Sequence, residues 1–306
     1  GLEPSPEDYG LVLNICTVMK MSMVTPLLNE MEERGIPKSL SVFDTLIKVC
    51  VADYDWESAL DFVREMADNR IEYDHKVAQK LIYVFGVSKK LELALEVVAE
   101  CVRVGQDTTA VYREAIRMCA KNKNSEEAVR LLHSAMGKNV QDLSLFGEAM
   151  HACIETQDWT TCLTLHQQVE RIEDNLRSDN KSFEIPFSMR TYPLAVVAMS
   201  HLDMHVDAVA LYKKMDTCKF IFTMKNGEVA TTLITAIAIE RALTSAMEIK
   251  DYQSARRIQE RSMSILRDSN NPYKHHMDFM GGQRWSKTLK KVAHTKLPLD
   301  LPSLSP

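Results

Sequence analysis

Between Ser39 and Asp74 the chain reads SLSVFDTLIKVCVADYDWESALDFVREMADNRIEYD. Val42, Phe43, Leu46, Ile47 and Cys50 fall at spacings of three and four, which places them on one apolar helix face. Asp53, Tyr54 and Asp55 interrupt that pattern. Ala59, Leu60, Phe62, Val63 and Met66 restore it, and Asp68, Asn69 and Arg70 end it. The stretch predicts two short helices joined by a tight turn. Such helices pack antiparallel, and the small residue at Ala59 lets their backbones approach where they cross.

The same ruler runs along the chain: an aromatic or apolar residue early in helix one, then a small residue 16 positions later. Tyr9 leads to Thr25, Phe43 to Ala59, Ala78 to Ala94, Tyr112 to Ala128, Phe146 to Cys162, Tyr192 to Ala208 and Ile239 to Ala255. Apolar residues follow three and four positions after each start, as at Leu81 and Ile82 or Ala149 and Met150. The starts are 34, 35, 34, 34, 46 and 47 residues apart. A period of this length is the sequence sign of stacked repeats. One hairpin cannot bury its apolar face alone, so neighbours must cover it. The expectation is an all-α fold, a right-handed α-solenoid of about seven helix-turn-helix repeats followed by an extended basic C-terminal tail.

Three regions follow from the spacing: regular repeats over 1–142, divergent repeats with insertions over 143–264, and the tail over 265–306. Pro4 and Pro6 precede the first helix, and Ser125 and Glu126 open the second helix of the fourth unit. Asp55-Trp56, Asp158-Trp159 and Asp251-Tyr252 occupy equivalent turns, where the ring is expected to plug the packing. Residues 171–188 read as an extended loop or a lengthened helix end, and the Thr- and Ala-rich part of 219–248 as a long, tightly packed helix. Arg256, Arg257, Arg261 and Arg267 mark a charged face near the end of the array.

The wording of the repeats separates families of similar length. LLNEMEERGIPKS over 27–39 and FVREMADNRIEYD over 62–74 are alike. An aromatic–x–x–Leu–Ile opening, a central Ala, Glu-Met and a Gly-Ile-Pro turn resemble the pentatricopeptide repeat. The Trp-x-x-Leu-Gly opening of the tetratricopeptide repeat is absent. The resemblance covers residues 6–142 well and thins towards 263.

Composition narrows the chemistry. With 45% apolar and 26% charged residues the 306-residue chain has an ordinary globular balance, and no run of about 20 apolar residues suggests a membrane span. The seven cysteines are odd in number, lack a C-x-x-C pair and mostly occupy apolar helix positions, the pattern of buried free thiols. No metal site or cofactor is expected; His275-His276 stands without further ligands. Phosphate-binding, dinucleotide-binding, hydrolase-elbow and metalloprotease motifs are missing, and Gly281-Gly282 reads as a lone turn. A non-enzymatic protein is therefore expected. The chain begins at Gly1 without a starting Met or an Arg-rich amphipathic leader, the form expected of a processed or partial chain.

Charge is unevenly spread. The tail over 265–306 carries net +4 while the whole chain carries −5, which leaves −9 on residues 1–264. Arg284, Trp285, Lys287, Lys290 and Lys291 mix cations with an aromatic ring, a combination suited to phosphate and base contacts. The closing LPLDLPSLSP is expected to lie extended along a surface.

The resemblance implies an organellar protein that binds single-stranded RNA in a groove, one base per repeat, in transcript processing, stability, editing or translation. A mitochondrial matrix location is expected, with the plastid as the alternative. In the family, the residue after the helix-one aromatic and the last residue of the unit choose the base. Here these are Gly10, Asp44, Gln79, Arg113, Gly147 and Pro193, with Ser39, Asp74, Thr108 and Asp142 as partners. Only Asp74 and Asp142 carry the usual side chains, and the array is acidic, so base-by-base reading is not favoured. The candidate RNA contacts are Asp44, Asp74, Gln79, Arg113 and Asp142 in the repeats, and Arg284, Trp285, Lys287, Lys290 and Lys291 in the tail. The expected partners are single-stranded RNA or rRNA and other organellar proteins. A structural subunit of an assembly such as the mitochondrial ribosome is the second reading.

Overall fold

A computed structural model turns each interval of the ruler into a helical hairpin. It describes residues 4–19, 24–105, 108–138, 142–178, 188–217, 222–223, 229–230, 233–267 and 280–297. At 16–19, 176–178, 188–190, 216–217, 222–223, 229–230, 233–235, 280–283 and 285 only the backbone is described. Cys218, His275-His276, residues 179–187 and the closing stretch from Pro298 lie outside the described residues.

Fourteen helices form the seven pairs in chain order. They are α1 (Pro6–Met19), α2 (Val24–Glu33), α3 (Leu40–Asp53), α4 (Trp56–Asp68), α5 (His75–Val87), α6 (Leu91–Val104), α7 (Thr109–Lys121), α8 (Ser125–Gly137), α9 (Ser144–Thr156), α10 (Trp159–Ser178), α11 (Ser188–His201), α12 (His205–Thr217), α13 (Leu233–Glu248) and α14 (Tyr252–Arg267). A fifteenth helix, α15 (Met280–Ala293), follows. The fold is all-α and of the solenoid class. Two two-residue strands, β1 (Phe222–Thr223) and β2 (Val229–Ala230), pair antiparallel where a longer α13 was expected. The backbone divides into two compact units, residues 1–152 and 153–306.

The turn inside each of the six later hairpins is fixed by the same three positions. Count the ruler residue as position 0. Position +11 is left-handed in six units: Tyr54, Lys89, Lys123, Gln157, Asp203 and Lys250 have φ between 55° and 61°. Position +12 donates its backbone N–H to the carbonyl at +7, from Asp55 to Cys50 at 2.9 Å, Lys90 to Phe85 at 2.8 Å and Asp251 to Ala246 at 2.8 Å. This six-to-one bond closes the first helix through carbonyls that would otherwise lack partners. Position +12 also opens the second helix. Asp55, Asn124, Asp158 and Asp251 accept there from the amides of Ser58, Glu127, Thr161 and Ser254, at 3.0–3.2 Å. One short segment thus ends one helix and caps the next.

Position 0 and position +16 supply the core. Tyr9, Phe43, Ala78, Tyr112, Phe146, Tyr192 and Ile239 are all buried. Ala59, Ala94, Ala128, Cys162, Ala208 and Ala255 are fully buried, whereas Thr25 of the first unit is exposed. The aromatic at position 0 reaches the second helix of its own hairpin. Tyr9 donates to Glu30 at 3.1 Å, Phe43 meets Phe62 edge-on at 6.4 Å, and Tyr112 pairs with Ser134 at 3.0 Å. Two of the three turn rings pack against a neighbour: Trp56 lies under Lys90 Nζ at 4.3 Å, and Trp159 stacks on His201 at 4.1 Å.

Two expectations are corrected. Pro6 is the first residue of α1, where its missing N–H and fixed φ suit a helix start. The tail is not wholly extended: residues 280–293 form α15, and Gly281-Gly282 lies inside it. Leu289 and Val292 are buried where α15 packs on α13 and α14. Gln259 Nε2 donates to the Val292 and Thr295 carbonyls at 3.3 and 2.6 Å, holding the end of α15. The lengthened-helix reading of residues 171–178 is realised, since α10 continues to Ser178.

Candidate nucleic-acid interface

In the first unit the leading helices α1, α3, α5 and α7 lie side by side. The forward flank of each, positions +1, +5 and +8, meets the backward flank of the next, positions −2, +2, +6 and +10. A Cβ on Gly10 (+1) would collide with Ser41 (−2), and one on Gly86 (+8) would lie 2.5 Å from Met118 (+6). Asn122 (+10) donates to the Gly86 carbonyl at 2.8 Å. Gly10 is thus a packing residue rather than a base contact.

The polar members of these flanks are joined from repeat to repeat. Lys48 donates to Asn14 at 3.2 Å. Lys80 pairs with Asp44, Gln79 Nε2 donates to the Ala110 carbonyl at 3.2 Å, and Arg113 pairs with Asp142. Arg117 bridges Glu114 at 3.0 Å and Glu148 at 3.1 Å, and Lys121 sits over the Tyr83 ring at 4.9 Å. These pairs are part-exposed, so each adds at most about 1 kcal/mol to stability. Their main consequence is electrostatic: Lys80, Arg113 and Arg117 are neutralised by acids one repeat away, whereas Lys48 meets an amide and Lys121 a ring.

The two expected last-position acids act first as helix caps. Asp74 accepts from the Lys76 and Val77 amides at 3.0 and 2.9 Å, opening α5. Asp142 accepts from the Ser144 amide at 2.9 Å while holding Arg113. Burial pushes the Asp142 carboxyl up, but the Ser144 hydrogen bonds and Arg113 outweigh it, so it ionises below the usual carboxylate range. Of the expected contacts, Asp44, Gln79, Arg113 and Asp142 belong to this row. Gly147 has nothing within 4 Å of where a Cβ would stand, and Pro193 lies within α11. Lys48, Lys80, Arg117 and Lys121 were missed by sequence reasoning. Their signal was present as charges recurring at +2, +5 and +9 of the ruler.

In the second unit the basic residues of α15 form a separate surface. Arg284, Lys287, Lys290 and Lys291 are exposed, and Trp285 contributes helical backbone. Lys291 Nζ binds Glu240 of α13 at 2.5 Å. Arg256 and Arg257 of α14 are exposed as well.

The same unit holds a polar cluster between α10, α11 and α12. His166 Nδ1 and Thr191 Oγ1 are 2.7 Å apart, and Glu170 lies 3.8 Å from His166 Nε2 and 3.4 Å from Lys214. Burial lowers the His166 pKa below its ordinary value; Glu170 opposes that shift and Lys214 adds to it. His166 and Thr191 are each 2% exposed and pack between the helices, while the Glu170 side chain is 37% exposed. Among the described residues no cluster of three metal-ligating side chains occurs, and no helix is long and apolar enough to cross a membrane.

Residues 41–71, the α3–α4 hairpin, match the family model of the PPR repeat. The chain is similar to the crystal structure of the pentatricopeptide repeat protein PPR10 from maize, with 18% identity and a TM-score of 0.37 over 95% of this chain and 47% of that one. PPR10 in complex with an 18-nt psaJ RNA element gives 15% identity and 0.38 over the same shares. NprR in complex with its cognate peptide NprX gives 9% and 0.35 over 89% of this chain and 81% of that one. This chain therefore spans about half the length of PPR10. No curated protein sequence matches it. The matched hairpin and the recurrence of its turn in five further units define a helical repeat protein. Residues 41–71 are a pentatricopeptide repeat.

Proposed function

We propose that the protein is a non-catalytic RNA-binding factor of mitochondrial gene expression, acting in transcript maturation, stability or translation. The observation that carries this reading is the pentatricopeptide match of the α3–α4 hairpin. Repeats of this type present single-stranded RNA with side chains from successive units. The RNA contacts are the first-helix row of the first unit and the basic face of α15. Because the row is internally paired, RNA is held there loosely through its backbone, and α15 supplies the stronger phosphate contact.

A second reading has its own support. Glycine at position 10, and the Arg113–Asp142 pair at the two places that would select a base, favour a protein-docking role in an organellar assembly such as the mitochondrial ribosome. One experiment separates them. Full-length protein is titrated with a single-stranded mitochondrial RNA pool across a salt series, beside a variant carrying Arg284→Gln, Lys287→Gln and Lys290→Gln. These substitutions are preferable to deleting α15, which would uncover the surface that Leu289 and Val292 bury. Salt-dependent binding weakened by the triple variant supports RNA on α15. No binding by either protein sinks the RNA reading and leaves the docking reading.

A further inference from the structure

The second helices of the first unit combine a charge and a cavity that the first-helix row does not use. With His counted neutral, α2, α4, α6 and α8 hold 12 acids and three bases. By contrast α1, α3, α5 and α7 hold five acids and six bases. None of the 12 acids is buried. The three bases, Arg64, Arg103 and Arg130, are each paired with an acid of their own helix. The excess on this layer is therefore acid, which repels phosphate and draws cationic partners.

A cavity of about 510 Å³ opens in this layer between α4 and α6. Its floor is apolar: Met66, Phe85, Val97 and Cys101 are 0–4% exposed. The ruler explains the space. Position +19 of the second hairpin is Phe62, whose ring meets Phe43 and packs on the cluster that holds Val24 and Met31. Position +19 of the third is Val97, so no ring fills the gap in front of α6. Glu72 and Glu96 stand exposed at the rim and join no ion pair among the described residues. We infer that the cavity and its acidic surround dock a cationic segment of a partner protein. One bulky apolar side chain of that segment enters between α4 and α6, and lysines or arginines on either side of it meet Glu72 and Glu96. A buried anchor supplies affinity in such a site, and the surrounding charge supplies steering and partner choice. RNA is a poor occupant, because its phosphates would meet the acids. The chain's own basic helix is another, since Leu289 and Val292 of α15 are buried and leave cations without an anchor. The site lies on the layer opposite the first-helix row, so it stands whether or not RNA lies along that row.

The test titrates the full chain with a fluorescent peptide of lysines and arginines around a central phenylalanine, beside a twin with serine at the centre. The phenylalanine peptide should bind about ten-fold tighter, since burying part of such a ring is worth that much. Val97→Phe, which fills the cavity from its floor, should remove the preference. Ala67→Leu should do the same from the mouth, where Ala67 is exposed and the change leaves the core intact. Glu72→Gln with Glu96→Gln should weaken both peptides about three-fold and leave their ratio unchanged. Equal binding of the two peptides, or a preference that survives both cavity variants, overturns the inference. So does a labelled single-stranded RNA that loses affinity on Ala67→Leu, which would place RNA on this layer. Self-association of the full chain that Ala67→Leu abolishes would overturn it as well, by making a second copy the occupant.

Discussion

Replacing Asp142 by Asn tests whether RNA passes along the first-helix row. The carboxylate holds Arg113 and caps α9 through the Ser144 amide. Asn caps a helix about as well as Asp, so the stability cost is that of a part-exposed ion pair, at most about 1 kcal/mol. The electrostatic change is larger, because Arg113 gains freedom to meet a phosphate. Each added phosphate contact on a single strand steepens the fall of log K with log salt by about 0.7. Between about 50 and 200 mM salt the variant should lose affinity about 2.5-fold more than the parent. Adding Asp44→Asn releases Lys80 as well; the slope should then steepen by about 1.4 and the extra loss reach about seven-fold. Fluorescence anisotropy with a labelled RNA of about 20 nucleotides in a KCl series reads both values. Asp61→Asn, which breaks the exposed Arg64–Asp61 pair on α4, should leave the slope unchanged. If Asp142→Asn and Asp44→Asn also leave it unchanged, RNA does not follow this row.

Gly86→Ala should destabilise by about 1–2 kcal/mol in urea unfolding, because strain of about 1–3 kcal/mol from a Cβ 2.5–2.8 Å from Met118 outweighs a helix-propensity gain below about 1 kcal/mol. Gly147→Ala, with open space at its Cβ, should show only the gain, and equal effects at the two sites would refute the packing argument. Lys89→Gly and Lys123→Gly should each stabilise by about 0.5–1 kcal/mol, since a left-handed φ of 60° or 55° strains a side chain but not glycine; unchanged melting would contradict this. Cys50, Cys101, Cys119, Cys153 and Cys162 should resist maleimide at pH 8 until urea unfolds the chain, because burial pushes the Cys50 and Cys101 thiols up to about 11 and the Cys119 and Cys153 thiols up to about 12. The Asp55 carboxyl is held below its ordinary value by the Ser58 hydroxyl and amide, so its contribution is present above about pH 4 and lost as pH falls through the lowered value. Thermal melts from pH 5 to pH 3 should therefore fall less steeply for Asp55→Asn than for the parent.

The hairpins were legible because their determinants are local and recur. Position 0, the small residue at +16 and the acid or amide at +12 are each visible as a residue type. The left-handed position +11 is not, since Tyr54, Lys89 and Gln157 share a backbone geometry but no chemistry. It is set by the six-to-one bond beneath it, which any residue type can make. α15 was hidden for another reason. Its apolar stripe is short, with Leu289 and Val292 as its buried members, and the Gly281-Gly282 pair argued for a turn. Packing on α13 and α14, not local propensity, makes it a helix.

The site was only half legible because a base-reading position and a repeat-to-repeat contact occupy the same flank. Asp44, Gln79 and Arg113 follow the helix-one ruler residue, and sequence alone assigns them to whatever lies in front of the helix. The stack places another repeat beside them, so their first partners are Lys80, the Ala110 carbonyl and Asp142. A ligand must compete with those partners. An ion pair worth at most about 1 kcal/mol is a small barrier to phosphate, but it removes the fixed donor geometry that distinguishes one base from another. A row built this way can hold a strand without reading it. Sequence preference, if RNA binding is found, must then come from elsewhere on the chain, and exchanging bases opposite the first unit should change affinity far less than exchanging salt.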